Sequence, residues 1–259
     1  VVHLNEKTKN KKMHLSYNIV AGHPYLVKHI AYNIDDLQIN EIIESDSLHS
    51  YLYEGMPLDV VTLDRERQRI TKLLQNSGYY KFNKDFIVYQ ADTIRNSYLV
   101  DLTMKLLPYR RRKEDAPTKH QTFKIRNVNF VTDDNVINMG NDFIGYDSIR
   151  YKVLHFYFKD NYYLRPNTLF DFNHIRPHSL YNEQDVQDTY TSMGRLRALK
   201  YTNIRFNEVN QNDSIQLDAN ILLTKTKNKS LSFEIEGTNS AGDLGAAASV
   251  TFQHRNLFK

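Results

Sequence analysis

The sequence contains no cysteine, which excludes disulfides, thiolate metal sites and cysteine nucleophiles. It fits an oxidising compartment, where a stray thiol is a liability. No apolar run approaches the length needed for a membrane helix. No secretion signal opens the chain, because Val1 begins within strand-like alternation, and the sequence reads as a mature or excised fragment. Catalytic patterns are also missing. His174-Ile-Arg-Pro-His178 spaces two histidines by four, but Pro177 opposes a regular helix and no Glu or Cys completes a ligand set. Asp133-Asp134-Asn135 lacks the spacing and the terminal Glu of a calcium loop. No phosphate loop or G-x-S-x-G elbow is present. An enzyme, a metal and a cofactor are therefore not expected.

What is present is a foldable chain. Its 259 residues suffice for two modest domains, and an aromatic share of 12% opposes a disordered polymer. The net charge of +4 is only mildly basic. Basic clusters at Lys7–Lys12 and Arg110–Lys113 fall where strand patterns stop, so they read as solvated turns or linkers, with a nucleic-acid patch as the sharper alternative.

Taken in order, 1–22 reads as a hairpin, the tail of a unit whose beginning is missing. Met13, Leu15, Tyr17 and Ile19 alternate there with polar residues. Two units of one plan follow. The first opens with Tyr25 and Val27, slips phase, and continues with Ile30, Tyr32 and Ile34. The second opens with Phe123 and Ile125, slips at the same place, and continues with Val128 and Phe130. A shared slip implies the same kink in the same strand.

Each unit then carries a helix before a hairpin. In the first, Thr62 or Asp59 can cap a helix bearing Leu63, Ile70, Leu73 and Leu74, which ends at Asn76-Ser77-Gly78. In the second, Asn182 caps a helix with Val186, Met193, Leu196 and Leu199 as its apolar stripe. Clean alternation follows in Tyr98–Leu106 and in Ile215–Leu223, as in strands with one buried face. The second unit has roughly 24 extra residues, dense in aromatics across Tyr146–Phe158 and Tyr162–Phe172. This stretch reads either as an extended first helix or as a lid-like insertion.

The C-terminal segment alternates in two runs. Leu231, Phe233 and Ile235 oppose Ser232, Glu234 and Glu236, while Ala246, Ala248, Val250 and Phe252 oppose Ala247, Ser249, Thr251 and Gln253. A Gly- and Asn-rich turn, Gly237–Gly245, is expected between them. Such strands fit a membrane β-barrel wall, although alternation alone favours an ordinary soluble hairpin with one buried face.

Two motifs carry a resemblance. The corner Leu74-x-x-x-Gly78-Tyr79-Tyr80-x-Phe82, with Gly55-Met-Pro-Leu-Asp59 and Leu63-Asp-Arg-Glu66-Arg67 upstream, resembles a POTRA (polypeptide-transport-associated) domain. The second unit matches with Leu180-Tyr181, Val186, Thr189, Leu196 and Tyr201, but has Lys200 and His178 where glycine is usual. The run Glu236-Gly237-Thr238-Asn239-x-x-Gly242-x-x-Gly245, followed by His254-Arg255-Asn256-Leu257-Phe258, resembles the barrel opening of the BamA/TamA-like outer-membrane assembly factors (bacterial surface antigens). The Tyr-rich style and the insertion look like the TamA-like branch of Bacteroidota.

The resemblance implies an α+β fold of tandem POTRA domains, each β-α-α-β-β with helices on one face of a small mixed sheet, followed by the first two strands of a truncated barrel. The expected divisions are the incomplete unit at 1–22, POTRA domains at 23–108 and 109–228 with the insertion at about 131–180, and the barrel start at 229–259. It implies a periplasmic region of an outer-membrane protein that handles unfolded barrel proteins and accessory assembly subunits, with no specific nucleic acid. Clients would pair with the strand after the long helix, Lys81–Gln90 in the first unit and Tyr201–Glu208 in the second. The candidate residues are Phe82, Lys84, Phe86 and Val88, with Phe82, Phe86 and Val88 sharing a face, and Tyr201, Asn203 and Arg205. Leu231, Phe233, Ile235 and Gly237 would form the barrel seam strand. Single-stranded nucleic-acid binding and a passive spacer are the competing readings.

Overall fold

The computed structural model describes residues 2–9, 12–19, 22–110, 115–132, 143–159, 163–211, 214–227, 229–240 and 243–254. Asp133–Asn135, Arg111–Lys113, Gly242 and Arg255–Phe258 lie outside them. Two compact units are distinguished, Val1–Leu73 with Phe82–Lys119, and Leu74–Lys81 with His120–Lys259.

In the first unit, β1 (Val2–Lys9) and β2 (Lys12–Ile19) pair antiparallel as a two-stranded sheet. The rest follows the β-α-α-β-β plan. The elements are β3 (Leu26–Asn33), α1 (Leu37–Ser45), α2 (Val60–Asn76), β4 (Ile87–Thr93) and β5 (Leu99–Leu106). The sheet runs β3-β5-β4, with β3 parallel and β4 antiparallel to the central β5. Alternation in β5 buries Val100, Leu102 and Met104, which is why this strand sits in the middle. Asp59 starts α2 by accepting hydrogen bonds from the N–H groups of Val61 (2.8 Å) and Thr62 (3.1 Å). Bonding from Thr62 holds the Asp59 carboxyl below its ordinary value.

The second unit repeats the plan with additions. Its elements are β6 (Lys124–Thr132), β7 (Asp147–Tyr151), β8 (Leu154–Phe158), α3 (Pro166–Asp171), α4 (Glu183–Gly194), β9 (Leu199–Gln211) and β10 (Ser214–Lys225). They form a five-stranded sheet in the order β7-β8-β6-β10-β9. The core lies against its helical face, around Phe130, Phe156, Leu169, Met193, Leu217 and Ile221.

The expected kink is present in both units. The β3–β5 register shifts between Val27 and His29, and the β6–β10 register shifts between Ile125 and Asn127, leaving Lys28 and Arg126 as the extra residues. Arg126 donates from Nε to Asp218 at 2.8 Å. The loop before each long helix is also copied. Gly55 donates to the Val27 carbonyl and Met56 accepts from Val27, just as His178 donates to Ile125 and Ser179 accepts from it. Paired positions differ by 98 residues before the insertion and by 123 after it, so the insertion amounts to 25 residues.

Gly55 has φ +87° and His178 has φ +66°. The departure at His178 therefore changes the residue but keeps the left-handed backbone, which His tolerates better than most side chains. At the other corner, Gly78 (φ +103°) ends α2, and the Tyr79 N–H reaches back to the Leu74 carbonyl at 3.1 Å.

Several expectations are corrected. The described part of the insertion forms neither an extended first helix nor a lid. It supplies the β7–β8 hairpin, and β8 joins the sheet parallel to β6 through Asn129–Thr132. The first helix is reduced to the six-residue α3. Leu196 and Leu199 do not belong to the helix stripe, since α4 ends at Gly194; Leu196 lies in the connection and Leu199 in β9. The Gly237–Gly245 turn does not form as such. The last two strands, β11 (Lys229–Ser240) and β12 (Asp243–His254), continue through Gly237 and Gly245, pairing Gly237 with Ala246 and Thr238 with Gly245. The period-2 pattern outweighs glycine composition there.

Candidate functional site

Sheet edges are where backbone donors and acceptors stay available to an incoming strand. In the first unit the edge strand after the long helix is β4, seven residues long. Of the candidates named from sequence, it contains only Val88. Asn83 caps a 3₁₀ turn over Lys84–Phe86, its side chain accepting from the Asp85 N–H at 2.8 Å. That turn takes Lys84 and Phe86 out of the strand and reverses the expected faces. Phe82 and Ile87 are buried at 2% and 1% exposure, so Phe82 is a core residue. The Phe86 N–H bonds to the Asn83 carbonyl at 3.3 Å and its carbonyl accepts from Leu107 at 2.8 Å, so its donor is not an edge donor.

The second unit offers a longer edge. β9 has 13 residues and pairs only with β10 within the sheet order. It carries Tyr201, Asn203 and Arg205, opposite Thr224, Leu222 and Asn220. The opposite edge, β7, is five residues long and bears exposed Asp147 and Arg150, which suits it poorly for pairing.

One hydrogen bond fixes which β9 donors face outward. The Ile204 N–H donates to the Tyr190 hydroxyl at 2.8 Å rather than to its partner Ile221 on β10. Outward and inward groups alternate along an antiparallel strand. Thr202, Ile204 and Phe206 thus direct their backbone groups away from β10, while Asn203 and Arg205 direct theirs toward it. The candidates read from the sequence share the β9 edge, but the donors lie on their neighbours. Tyr190 was missed, since a lone Tyr on a helix gives no signal of an edge contact. Replacing Tyr190 by Phe is expected to cost about 1 kcal/mol and to speed exchange of the Ile204 amide, measured by hydrogen exchange. Unchanged protection of that amide would show that the hydroxyl does not guard the edge.

The base of β9 is anchored within the second unit. Tyr80 packs against Phe123, Tyr181 and Phe206 with ring centroids 5.8, 4.9 and 5.4 Å away. Lys81 pairs with Glu208 of β9 at 2.7 Å. Burial raises the Tyr80 and Tyr181 phenols above their ordinary values, and Tyr181 also donates to the Glu183 carboxylate.

The β11–β12 hairpin places Leu231, Phe233 and Ile235 opposite Phe252, Val250 and Ala248 on one face. Leu231, Phe233, Ile235, Val250 and Phe252 are 56–86% exposed. Gly237 lies on the same strand with open space beside its Cα. Among the described residues, no group of three or more His, Cys, Asp or Glu side chains is placed to hold a metal ion.

The β-α-α-β-β repeat has counterparts among solved structures. The chain is similar to BamA from Haemophilus ducreyi lacking POTRA domains 1–3, with a TM-score of 0.53 and 13% identity over 87% of this chain and 34% of that one. The fold is a tandem POTRA fold. POTRA domains 3–5 of Haemophilus influenzae BamA align at a TM-score of 0.48 and 13% identity, over 86% of this chain and 71% of that one. No protein-family model and no curated protein matches the sequence. The chain spans about a third of the length of the H. ducreyi protein, 34%, and at 13% identity the likeness concerns the POTRA fold alone.

Proposed function

We propose that the chain is the periplasmic POTRA region, with the first wall strands, of an outer-membrane protein assembly or translocation factor. It takes up unfolded barrel proteins or accessory subunits by adding their extended segments to the β9 edge. The observation that supports this is the 13-residue edge itself, whose outward donors at Thr202 and Phe206 flank the Ile204 donor that Tyr190 occupies, on a strand fixed by α4 and β10. Backbone pairing is tolerant of sequence, as a machine with many clients requires. The β11–β12 hairpin, apolar on one face and polar on the other, has the period and length of a barrel wall. On this reading the protein belongs to the outer membrane and this part faces the periplasm. The Tyr-rich sequence and the β7–β8 insertion favour the TamA-like branch of Bacteroidota.

The test removes one outward donor. Proline is tolerated on an edge strand where its missing N–H faces away from the ladder. Thr202→Pro should leave the β9–β10 pairing intact and weaken binding of an extended barrel-strand peptide about tenfold, roughly the value of one net hydrogen bond. Peptide titration by NMR reads both the affinity and the integrity of β9. Unchanged affinity with β9 intact would remove β-augmentation at this edge.

A further inference from the structure

The second unit holds a cavity of about 600 Å³ where β10 runs out and β11 begins. Four lysines line it, Lys200 from β9, Lys225 from the end of β10, Lys227 from the connection and Lys229 from the start of β11. Tyr163 and the threonines Thr224 and Thr226 complete its described lining, which includes no carboxylate. The wall is held by hydrogen bonds: the Tyr163 hydroxyl donates to the Thr226 carbonyl at 3.2 Å, and the Thr226 N–H donates to Ala198 at 2.9 Å. The Lys225 ammonium lies 5.9 Å from the centre of the Tyr163 ring, and that of Lys200 lies 5.0 Å from the centre of the Tyr201 ring.

Lys200 is the extra residue of β9 at the β-bulge between Thr224 and Lys225, where Tyr201 pairs with Thr224 and Leu199 with Lys225. Gathering Lys200, Lys227 and Lys229 around one cavity raises a positive potential that an anion relieves. Compact ammonium groups with hydroxyl donors beside them suit a phosphate, and the volume is in the range of sites for small organic ligands rather than bare ions.

We propose that this cavity binds a phosphate-bearing anion, and that its source is the headgroup of an anionic phospholipid. The lipid source rests on the reading above, in which Lys229 begins the membrane wall, so that the cavity lies at its foot. Lysines near an anionic membrane surface each strengthen attachment severalfold.

The experiment compares two charge-matched triple variants of the full chain. Lys200→Gln, Lys227→Gln and Lys229→Gln alter the cavity, while Lys28→Gln, Lys72→Gln and Lys124→Gln alter exposed lysines elsewhere. Co-sedimentation is measured with mixed phosphatidylglycerol–phosphatidylcholine vesicles and with phosphatidylcholine vesicles alone. The cavity variant should lose about 100-fold in affinity for the anionic vesicles, roughly fivefold per lysine, and the control variant only a few-fold in total. In parallel, inorganic phosphate is titrated while the amide signals of Lys200, Lys227 and Lys229 are followed by NMR, with chloride matched for ionic strength. A selective vesicle loss supports the lipid headgroup. A saturable phosphate shift without that loss supports the site with a soluble phosphate compound as its ligand. Equal losses in both variants together with no saturable phosphate shift overturn the proposal. Failure of the Thr202→Pro test would remove β-augmentation at the β9 edge and leave the phosphate titration unaffected.

Discussion

Glu66→Ala is expected to destabilise the first POTRA unit by about 3–5 kcal/mol. Glu66 is fully buried on α2, where it receives hydrogen bonds from Ser50 Oγ (3.1 Å), the Tyr51 N–H (2.9 Å), Arg69 Nε (3.0 Å) and the Arg69 terminal nitrogen (2.6 Å). Arg69 in turn pairs with Asp46 beyond the end of α1. One carboxylate therefore ties the connection between the helices to the long helix. Removing it leaves the Tyr51 N–H without its acceptor and the Arg69 Nε and one terminal nitrogen without theirs, with Asp46 as the remaining counter-charge of a largely buried guanidinium. Glu66→Gln should cost less, since the amide oxygen keeps some of the acceptor role. The double variant Glu66→Ala with Arg69→Ala should recover part of the loss, because the stranded charge is gone. The equivalent position in the second unit is Thr189, also fully buried. It donates to the Asp185 carbonyl at 2.7 Å and accepts from the His174 N–H at 3.0 Å. A neutral side chain serves there, so the ion pair is one solution to this position rather than a requirement of the fold. Urea unfolding followed through amide signals of each unit separately reads the effect, since two units need not melt together. A loss below about 1 kcal/mol would show that the network contributes only surface-like pairing.

How much of this was legible depends on whether a residue's role is written in its own period. The repeat was legible because Val27–Ile30 and Ile125–Val128 share a phase slip, and a bulge is the physical cause of such a slip. Caps were legible at Asp59 and Asn182, since short polar side chains accept from the second and third helical N–H groups. The β7–β8 hairpin was not. Its strands alternate, with Leu154, Phe156 and Phe158 buried, but its two-residue turn places Lys152 at φ +54°. Such turns are usually announced by Gly or Asn, and Lys gives no notice. The β4 edge was misplaced because Phe82, Phe86 and Val88 imitate alternation across a 3₁₀ turn, although Asn83-x-Asp85 carries the cap that marks it. The lysine cavity had a signal in the alternating Lys225, Lys227 and Lys229, but Lys200 joins them only through the β9–β10 pairing.

The same dependence on period governs the second large effect, at the β11–β12 hairpin. If this hairpin is a barrel wall, its apolar face is the lipid side, and charge there should be far less tolerated than charge on the other side. Phe233 is 69% exposed and stands opposite Val250, while Ser249 stands opposite Glu234 on the polar face. Among the described residues β11 and β12 pair only with each other, and two strands by themselves do not close a barrel, so the apolar face of this hairpin meets a detergent micelle as an interface. Phe233→Arg removes a side chain worth about 1.5–3 kcal/mol when covered and adds up to about 1 kcal/mol for a charge near the interface. Micelle affinity should fall about 100-fold, as read by binding isotherms of the full chain. Ser249→Arg adds the same charge one residue from the pairing partner but on the polar face, next to Glu234, and should leave affinity within a few-fold. If both substitutions weaken binding equally, the hairpin has no lipid side, and the barrel reading of 229–254 fails while the two upstream sheets keep their POTRA fold.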